Sequence, residues 1–407
     1  MSAPFQRACA ALTRAIENPY SAFYRDLYKK IPDFSVPQTL LEWRALPLLA
    51  REHIASVPLE KRVFIPWQQV RIIRATSGTS GRGVLCIPTG AARTFPDHML
   101  AGATLFSFQY HIGAANTMDH IDGKKRRVLQ ADPTRMEASA RLAAKSAVDA
   151  LHGLPSQLLA FAPCLAQRYD LAHIRFIEIS GEHLSSLQRA AIQTLYPRAV
   201  IRERFSVAEA QGAVATTPLG AEASHVLEVF SKYYVELIDA NGLVIDEEGQ
   251  TGELVITSLD EGEAFPLMRY RLGDTVTLIR KEEPVHLEIL GRTDKDRVRL
   301  GIGEINLFEL ERAIAAVAPE AVDFEATVGE DLRDSVPLPQ LSIILFTAGA
   351  EIDTEQCAKK LAGFLRINQK RSYADGVAKG LCLPLKCAVK NVAANHMKRK
   401  HLIDARA

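Results

Sequence analysis

Eight consecutive residues, Thr76-Ser77-Gly78-Thr79-Ser80-Gly81-Arg82-Gly83, lie between the β-branched run Val70 to Ile73 and the apolar Val84-Leu85-Cys86-Ile87. The glycines let the backbone take φ > 0 and come close to an anion, and the hydroxyls add donors that amide groups alone do not supply. That is a composition for holding phosphate. It is not the loop of P-loop NTPases, because no Gly-Lys-Ser/Thr follows the last glycine. A Ser/Thr/Gly octet is equally an ordinary turn.

Four further segments follow in order: Ser180-Gly181-Glu182, Phe205-Ser206-Val207-Ala208-Glu209, Arg269-Tyr270-Arg271-Leu272-Gly273-Asp274 and Gly291-Arg292-Thr293-Asp294. A basic tail, Lys398 to Arg406, comes last. Each has a plain structural alternative. Glu209 reads equally as a solvated helix-start glutamate, and Phe205 as a core aromatic at a strand end. Arg269, Arg271 and Asp274 would make a surface ion-pair cluster, and Lys398-Arg399-Lys400-His401 a solvated tail.

The elements that must position these residues are legible in outline. Met136 to Leu151, stopped at Gly153, reads as an amphipathic helix, and Pro155 to Tyr169 as a second. Ile174 to Ile179 reads as a buried strand running into Ser180-Gly181-Glu182, with a helix from Ser185 to Leu195 behind it. Strand, turn and helix in repetition predict a layered α/β body. From about Val226 the chain becomes β-rich, with Val235 to Ile238 and Gly252 to Ile256 as strands and Asn241-Gly242 as a hairpin signal. After Gly291-Arg292-Thr293-Asp294 a small α+β unit follows: a helix from Phe308 to Val317, a strand from Leu341 to Phe346 and a helix from Thr354 to Leu365.

As an ordered set, the five segments and the tail resemble the adenylate-forming superfamily of acyl-CoA synthetases, peptide-synthetase adenylation domains and luciferases, most closely its phenylacetate-CoA ligase branch. The resemblance runs from about Leu46 to Arg406. It implies an α/β fold with a large N-terminal adenylation domain, residues 1–291, built of layered α/β subdomains, and a small mobile α+β C-terminal domain, residues 292–407, hinged near 293–295. It implies an enzyme that joins an organic acid to ATP as an acyl-adenylate and passes the acyl group to a thiol. Ser77, Gly78, Thr79, Ser80 and Gly81 would grip the β- and γ-phosphates, and Glu209 would hold Mg²⁺. Gly181 and Glu182 would line the adenine and Phe205, with Ser206 beside it, would replace the tyrosine that packs on the base. Asp274 would accept from both ribose hydroxyls, with Arg292 near ribose and phosphate. Lys398 would neutralise charge in the first half-reaction, and Lys400 is its competitor if the register slips by two.

The departures from the family are specific. Ala208 lacks the usual hydroxyl, Arg82 stands in for a lysine, Gly301-Ile302-Gly303-Glu304-Ile305-Asn306 is shifted by a residue, and the zinc-ligating cysteines of some phenylacetate-CoA ligases have no counterpart. They favour a specialised biosynthetic enzyme, as in antibiotic biosynthesis, over a degradative one. The implied cofactors are ATP, Mg²⁺ and, as acceptor, coenzyme A or phosphopantetheine. The implied partner is a small carboxylic acid, aromatic by branch, with Tyr110, His111 and Pro155-Ser156-Gln157 as candidates for its pocket. An acyl carrier protein and a homodimer stay open, as do transfer to an amine or reductase and a nucleotide-binding pseudoenzyme.

Composition sets the remaining bounds. At 407 residues the chain exceeds one core, and its 47% hydrophobic and 24% charged residues are those of a globular protein. A net charge of +1 offers nucleic acid no electrostatic footprint. No apolar run reaches membrane-spanning length, and six scattered cysteines without a Cys-x-x-Cys pair suit a reduced compartment, so a cytoplasmic protein is expected.

Overall fold

The computed structural model describes residues 3–70, 73–75, 85–86, 104–108, 127–210, 212–221, 225–292, 296–300, 303–333, 336–368, 370–392 and 400–406. Its contacts divide the chain into two compact units that interleave in sequence. One comprises Met1–Gly102, His111–Arg126 and Arg202–Ile289, the other Ala103–Tyr110, Arg127–Ile201 and Leu290–Ala407.

The first unit is built on strands in the order Val244–Ile245, Tyr233–Ile238, Thr251–Ser258, Tyr270–Arg280, His286–Arg292, Val226–Val229, Gly212–Thr216 and Val200–Val207. Gly242 takes φ +79° in the turn that Asn241-Gly242 signals, and Leu237↔Ile245 and Ile238↔Val244 pair across it. The N-terminal helix Ala3–Glu17 buries Phe5, Ala8, Leu12 and Ala15 in the same core as Leu254, Ile256 and Leu267. Between Val255↔Arg271 and Glu253↔Thr275 the partner strand spends Leu272, Gly273 and Asp274 on the single residue Leu254, and Gly273 sits at φ +73°. This is a bulge, a device that re-aims a side chain, and glycine supplies the left-handed residue it needs.

Arg269 adopts φ +46° and is 1% exposed. Its guanidinium donates to Glu236 Oε2 at 3.0 Å and Oε1 at 3.2 Å, and to the carbonyls of Arg44 and Leu46. Trp43 Nε1 donates to the same Glu236 Oε2 at 3.0 Å, so one buried carboxylate ties the helix Leu40–Ala45 to the sheet.

In the second unit four parallel strands run in the order Phe176–Ser180, Ala150–Gly153, Thr104–Phe108, Arg127–Ala131. Parallel strands demand crossover connections: Met136–Lys145 leads from Arg127–Ala131 to Ala150–Gly153, Pro155–Ala166 leads from there to Phe176–Ser180, and Ser186–Leu195 follows the last strand, the helices burying Phe161, Leu165 and Ile192 with Leu151, Ile177 and Ile179. The first helix ends earlier than its sequence pattern suggests. Ala147 turns to φ +47°, which an α-helix does not accommodate, and Ala150 and Leu151 go into a strand. The α+β remainder forms a sheet in the order Lys386–Asn391, Val336–Thr347, Ala321–Arg333, Leu402–Asp404, covered by Leu307–Val317 and Thr354–Phe364. Leu187 is buried in the core of this sheet together with Phe324, Leu341 and Leu361. Among the described residues, no helix is long and apolar enough to cross a membrane.

Candidate functional site

The loop Ser77 to Gly81, Tyr110, His111, residues 293–295, where a hinge is expected, and Lys398 lie outside the described residues. The strands that flank the loop pair antiparallel, Arg74 with Cys86 and Ala75 with Leu85.

In the first unit, Phe205 and Ser206 lie near the end of Val200–Val207, where the pairing with Gly212–Thr216 slips between them. Phe205 is half-buried against the core and Ser206 is exposed. Glu209 follows in the turn and is buried, 7% exposed. It is therefore not the solvated glutamate of the plain alternative. Its Oε1 accepts from Arg51 Nη1 at 3.0 Å, an arginine that opens the helix Arg51–Ala55. Asp274, in the bulge, is 5% exposed. Arg269 and Arg271 have carboxylates of their own: Arg271 donates from Nε and Nη2 to Glu253 at 3.1 and 2.6 Å. A surface cluster of these three residues is thus not what the chain builds. In strand order, two strands, His286–Arg292 and Val226–Val229, separate the strand of Asp274 from Gly212–Thr216.

In the second unit, Gly181 takes φ +90° immediately after the parallel strand Phe176–Ser180, which requires glycine there. The carboxyl ends of parallel strands are where α/β sheets bind ligands. Glu182, next in the turn, is 6% exposed and accepts from Ser156 Oγ at 2.9 Å, joining two segments that the sequence singled out separately. His152 Nε2 and Ser180 Oγ are 2.9 Å apart at the same strand ends. Arg292 closes the strand His286–Arg292, its backbone N–H held by Asp296, and Gly291 before it takes φ +119°.

Around this turn lie residues that no motif or spacing in the chain groups together. Glu311 accepts from the backbone N–H of Ser186 at 2.8 Å and meets His183 Nε2 at 3.1 Å. Asp323 meets Gln188 Nε2 at 3.1 Å and His401 Nε2 at 2.9 Å. Lys400, beside His401, is exposed.

A magnesium ion accompanying ATP needs only one or two protein carboxylates, the phosphates and waters completing its shell. The buried Glu209 meets that need. Among the described residues no group of three or more His, Cys, Asp or Glu could hold a metal ion.

No family model matches the sequence. The indoleacetate–lysine synthetase of Pseudomonas savastanoi is 26% identical over 215 residues, 51% of this chain and 48% of that protein, so the match spans about half of each. Among solved structures, 2-hydroxyisobutyryl-CoA ligase in the postadenylation state with 2-HIB-AMP superposes with a TM-score of 0.76 at 16% identity, over 99% of this chain and 89% of that one. The same ligase with 2-HIB-AMP and CoA in the thioesterification state gives 0.61 at 17% identity, over 99% and 89%. Anthranilate CoA ligase AuaEII with anthranoyl-AMP gives 0.52 at 14% identity, over 78% of this chain and 63% of that one. With nearly its whole length matched, the chain has the fold of the adenylate-forming ligases.

Proposed function

We propose that the protein activates a carboxylic acid with ATP and transfers the acyl group to a thiol, that of coenzyme A or of a carrier-protein phosphopantetheine. One observation carries this reading: the two carboxylates that the motifs single out are both buried, Glu209 in the turn after Val200–Val207 and Asp274 in the bulge of Tyr270–Arg280, and Asp and Glu are almost never buried unless something pairs with them. In a chain with this fold, such carboxylates suit a metal-bound triphosphate and a ribose diol.

In the first half-reaction an oxygen of the acid attacks the α-phosphorus and pyrophosphate leaves. Ser77 to Gly81 hold the β- and γ-phosphates. Glu209 would hold Mg²⁺, which when bound would supply positive charge to the phosphates. Gly181, Glu182, Phe205 and Ser206 line the base, Asp274 accepts from the ribose hydroxyls, and Arg292 sits near ribose and phosphate. Lys398 offsets the charge building on the α-phosphate and carboxylate, an effect worth on the order of 10²–10³-fold in rate. In the second half-reaction the thiol attacks the acyl carbon and AMP leaves, after residues 292–407 turn about 293–295. The likeness to an anthranilate CoA ligase and to an indoleacetate enzyme supports an aromatic acid.

A second reading, transfer to an amine, draws on the match to a lysine synthetase across half of the chain. Exchange of labelled pyrophosphate into ATP, run over benzoate, phenylacetate, anthranilate, indole-3-acetate and aliphatic acids, tests the first step for either acceptor. Acid-dependent exchange supports the proposal, and ATP binding without exchange for any acid overturns it. Mass spectra of products formed with coenzyme A and with lysine separate thiol from amine. Lys398→Ala should slow exchange by about 10²–10³-fold while Lys400→Ala leaves it, which fixes the register.

A further inference from the structure

Asp323 is buried, 3% exposed, near the start of the strand Ala321–Arg333. Its Oδ1 gathers three donors from three segments: the backbone N–H of Phe324 at 2.9 Å, Gln188 Nε2 at 3.1 Å and His401 Nε2 at 2.9 Å. Neither distal partner is loose. Gln188 is held by the capping box of its helix, donating its N–H to Ser185 Oγ at 3.0 Å and accepting from Ser185 N–H at 3.2 Å. His401 accepts through its carbonyl from Ala326 N–H at 2.9 Å, its ring packs 5.2 Å from that of Phe324, and the strand Leu402–Asp404 that follows pairs with Ala326 to Val328.

The helix that Gln188 belongs to begins just after the Ser180-Gly181-Glu182 turn. Two carboxylates, Glu311 and Asp323, therefore bind its first turn, the end where the helix dipole favours anions. Burial alone would lower the His401 pKa, but the hydrogen bond and charge of Asp323, with the charge of Glu182, outweigh it and the opposing His183 and hold it above its ordinary value. His183 in turn faces Glu311.

We propose that Asp323 is a positioning residue for adenylation: one carboxylate oxygen grips Gln188 and His401 together and so fixes the start of the tail strand relative to the turn after Phe176–Ser180. This rests on the function proposed above. A carboxylate that only stiffened the fold would serve both half-reactions equally. One that locates the tail serves the first.

The test compares Asp323→Asn and His401→Gln with the unaltered chain, using pyrophosphate exchange for the first half-reaction and transfer from a synthetic acyl-adenylate to coenzyme A for the second. Misplacing a reacting group by about 1 Å costs on the order of 10²-fold. Asp323→Asn should lower the exchange kcat by about 10- to 100-fold with ATP KM within about twofold, and leave transfer within about twofold. In the unaltered chain exchange should fall as pH rises through the His401 titration, and in His401→Gln, a neutral donor, that limb should vanish. Equal loss in both half-reactions, or an unchanged pH limb in His401→Gln, overturns the proposal. If no acid supports exchange in the unaltered chain, the functional reading fails, and amide exchange then judges the junction itself. Residues 185–188 and 401–404 should lose protection together in Asp323→Asn, or in His401→Gln if the former does not fold, and independent protection overturns it.

Discussion

Arg51 Nη1 donates to Glu209 Oε1 at 3.0 Å, so the carboxylate proposed to orient Mg²⁺ is paired with a cation 158 residues earlier in the chain. A Mg²⁺ held by Glu209 would compete with the guanidinium for the carboxylate. Losing a charge-assisted contact of about 1.5–3 kcal/mol predicts that Glu209→Gln raises the Mg²⁺ concentration for half-maximal exchange by roughly ten- to a hundredfold. Arg51→Gln should move it the other way. A magnesium titration that is superimposable for Glu209→Gln and the unaltered chain would leave Glu209 as the partner of Arg51 and nothing more.

Asp274 stands in the bulge opposite Leu254, and its proposed role is to accept from two ribose hydroxyls. Asp274→Ala should raise the ATP dissociation constant by about ten- to a hundredfold in a folded protein. Calorimetry with ATP and with 2′-deoxy-ATP checks this, because the deoxy analogue should lose affinity only where Asp274 is present.

Glu236 is held by Arg269 and Trp43 and is 6% exposed. Removing one partner of a buried ion pair strands the other, so Arg269→Met should destabilise the protein by about 3–5 kcal/mol. Urea unfolding should show it, with Arg269→Met/Glu236→Gln recovering part of the loss. A loss below about 1 kcal/mol would mean that the pair is more solvated than its burial implies.

Burial pushes the Glu263 carboxyl up from 4.5 to about 7, against the opposing hydrogen bond of Ser258 and charge of Lys232. The folded protein thus holds a proton that the unfolded chain releases, and stability should fall as pH rises from about 4.5 to about 7, by up to about 3 kcal/mol. Glu263→Gln should flatten that slope. Chemical denaturation at pH 5 and pH 8 measures the difference, and an equal slope in the variant would assign it to other groups.

What the sequence disclosed was local. Glycine-marked turns placed Gly181 and Gly242 correctly, and the apolar periods of Ser186–Leu195 and Leu307–Val317 reported their own burial. The helix from Met136 overran because Ala147 to Leu151 continues an alanine-rich apolar pattern, and only the backbone conformation of Ala147 ends it. The bulge at Asp274 went unread: glycine within a strand signals an irregularity, but Leu272-Gly273-Asp274 read only as part of a motif. Pairings such as Arg51 with Glu209 or His401 with Asp323 left no trace, because a hydrogen bond between distant segments imposes no spacing on either.

The helix Ser186–Leu195 buries Ile192 in one core and Leu187 in another. For protein engineering this makes it shared property. A chimera that exchanged only the sheet Lys386–Asn391, Val336–Thr347, Ala321–Arg333, Leu402–Asp404 for a foreign counterpart would meet Leu187, Ser186 and Gln188 with unmatched surface. A cut that transplants the helix's first turn along with the sheet keeps the complementary faces together, so the natural seam for recombination runs through the helix.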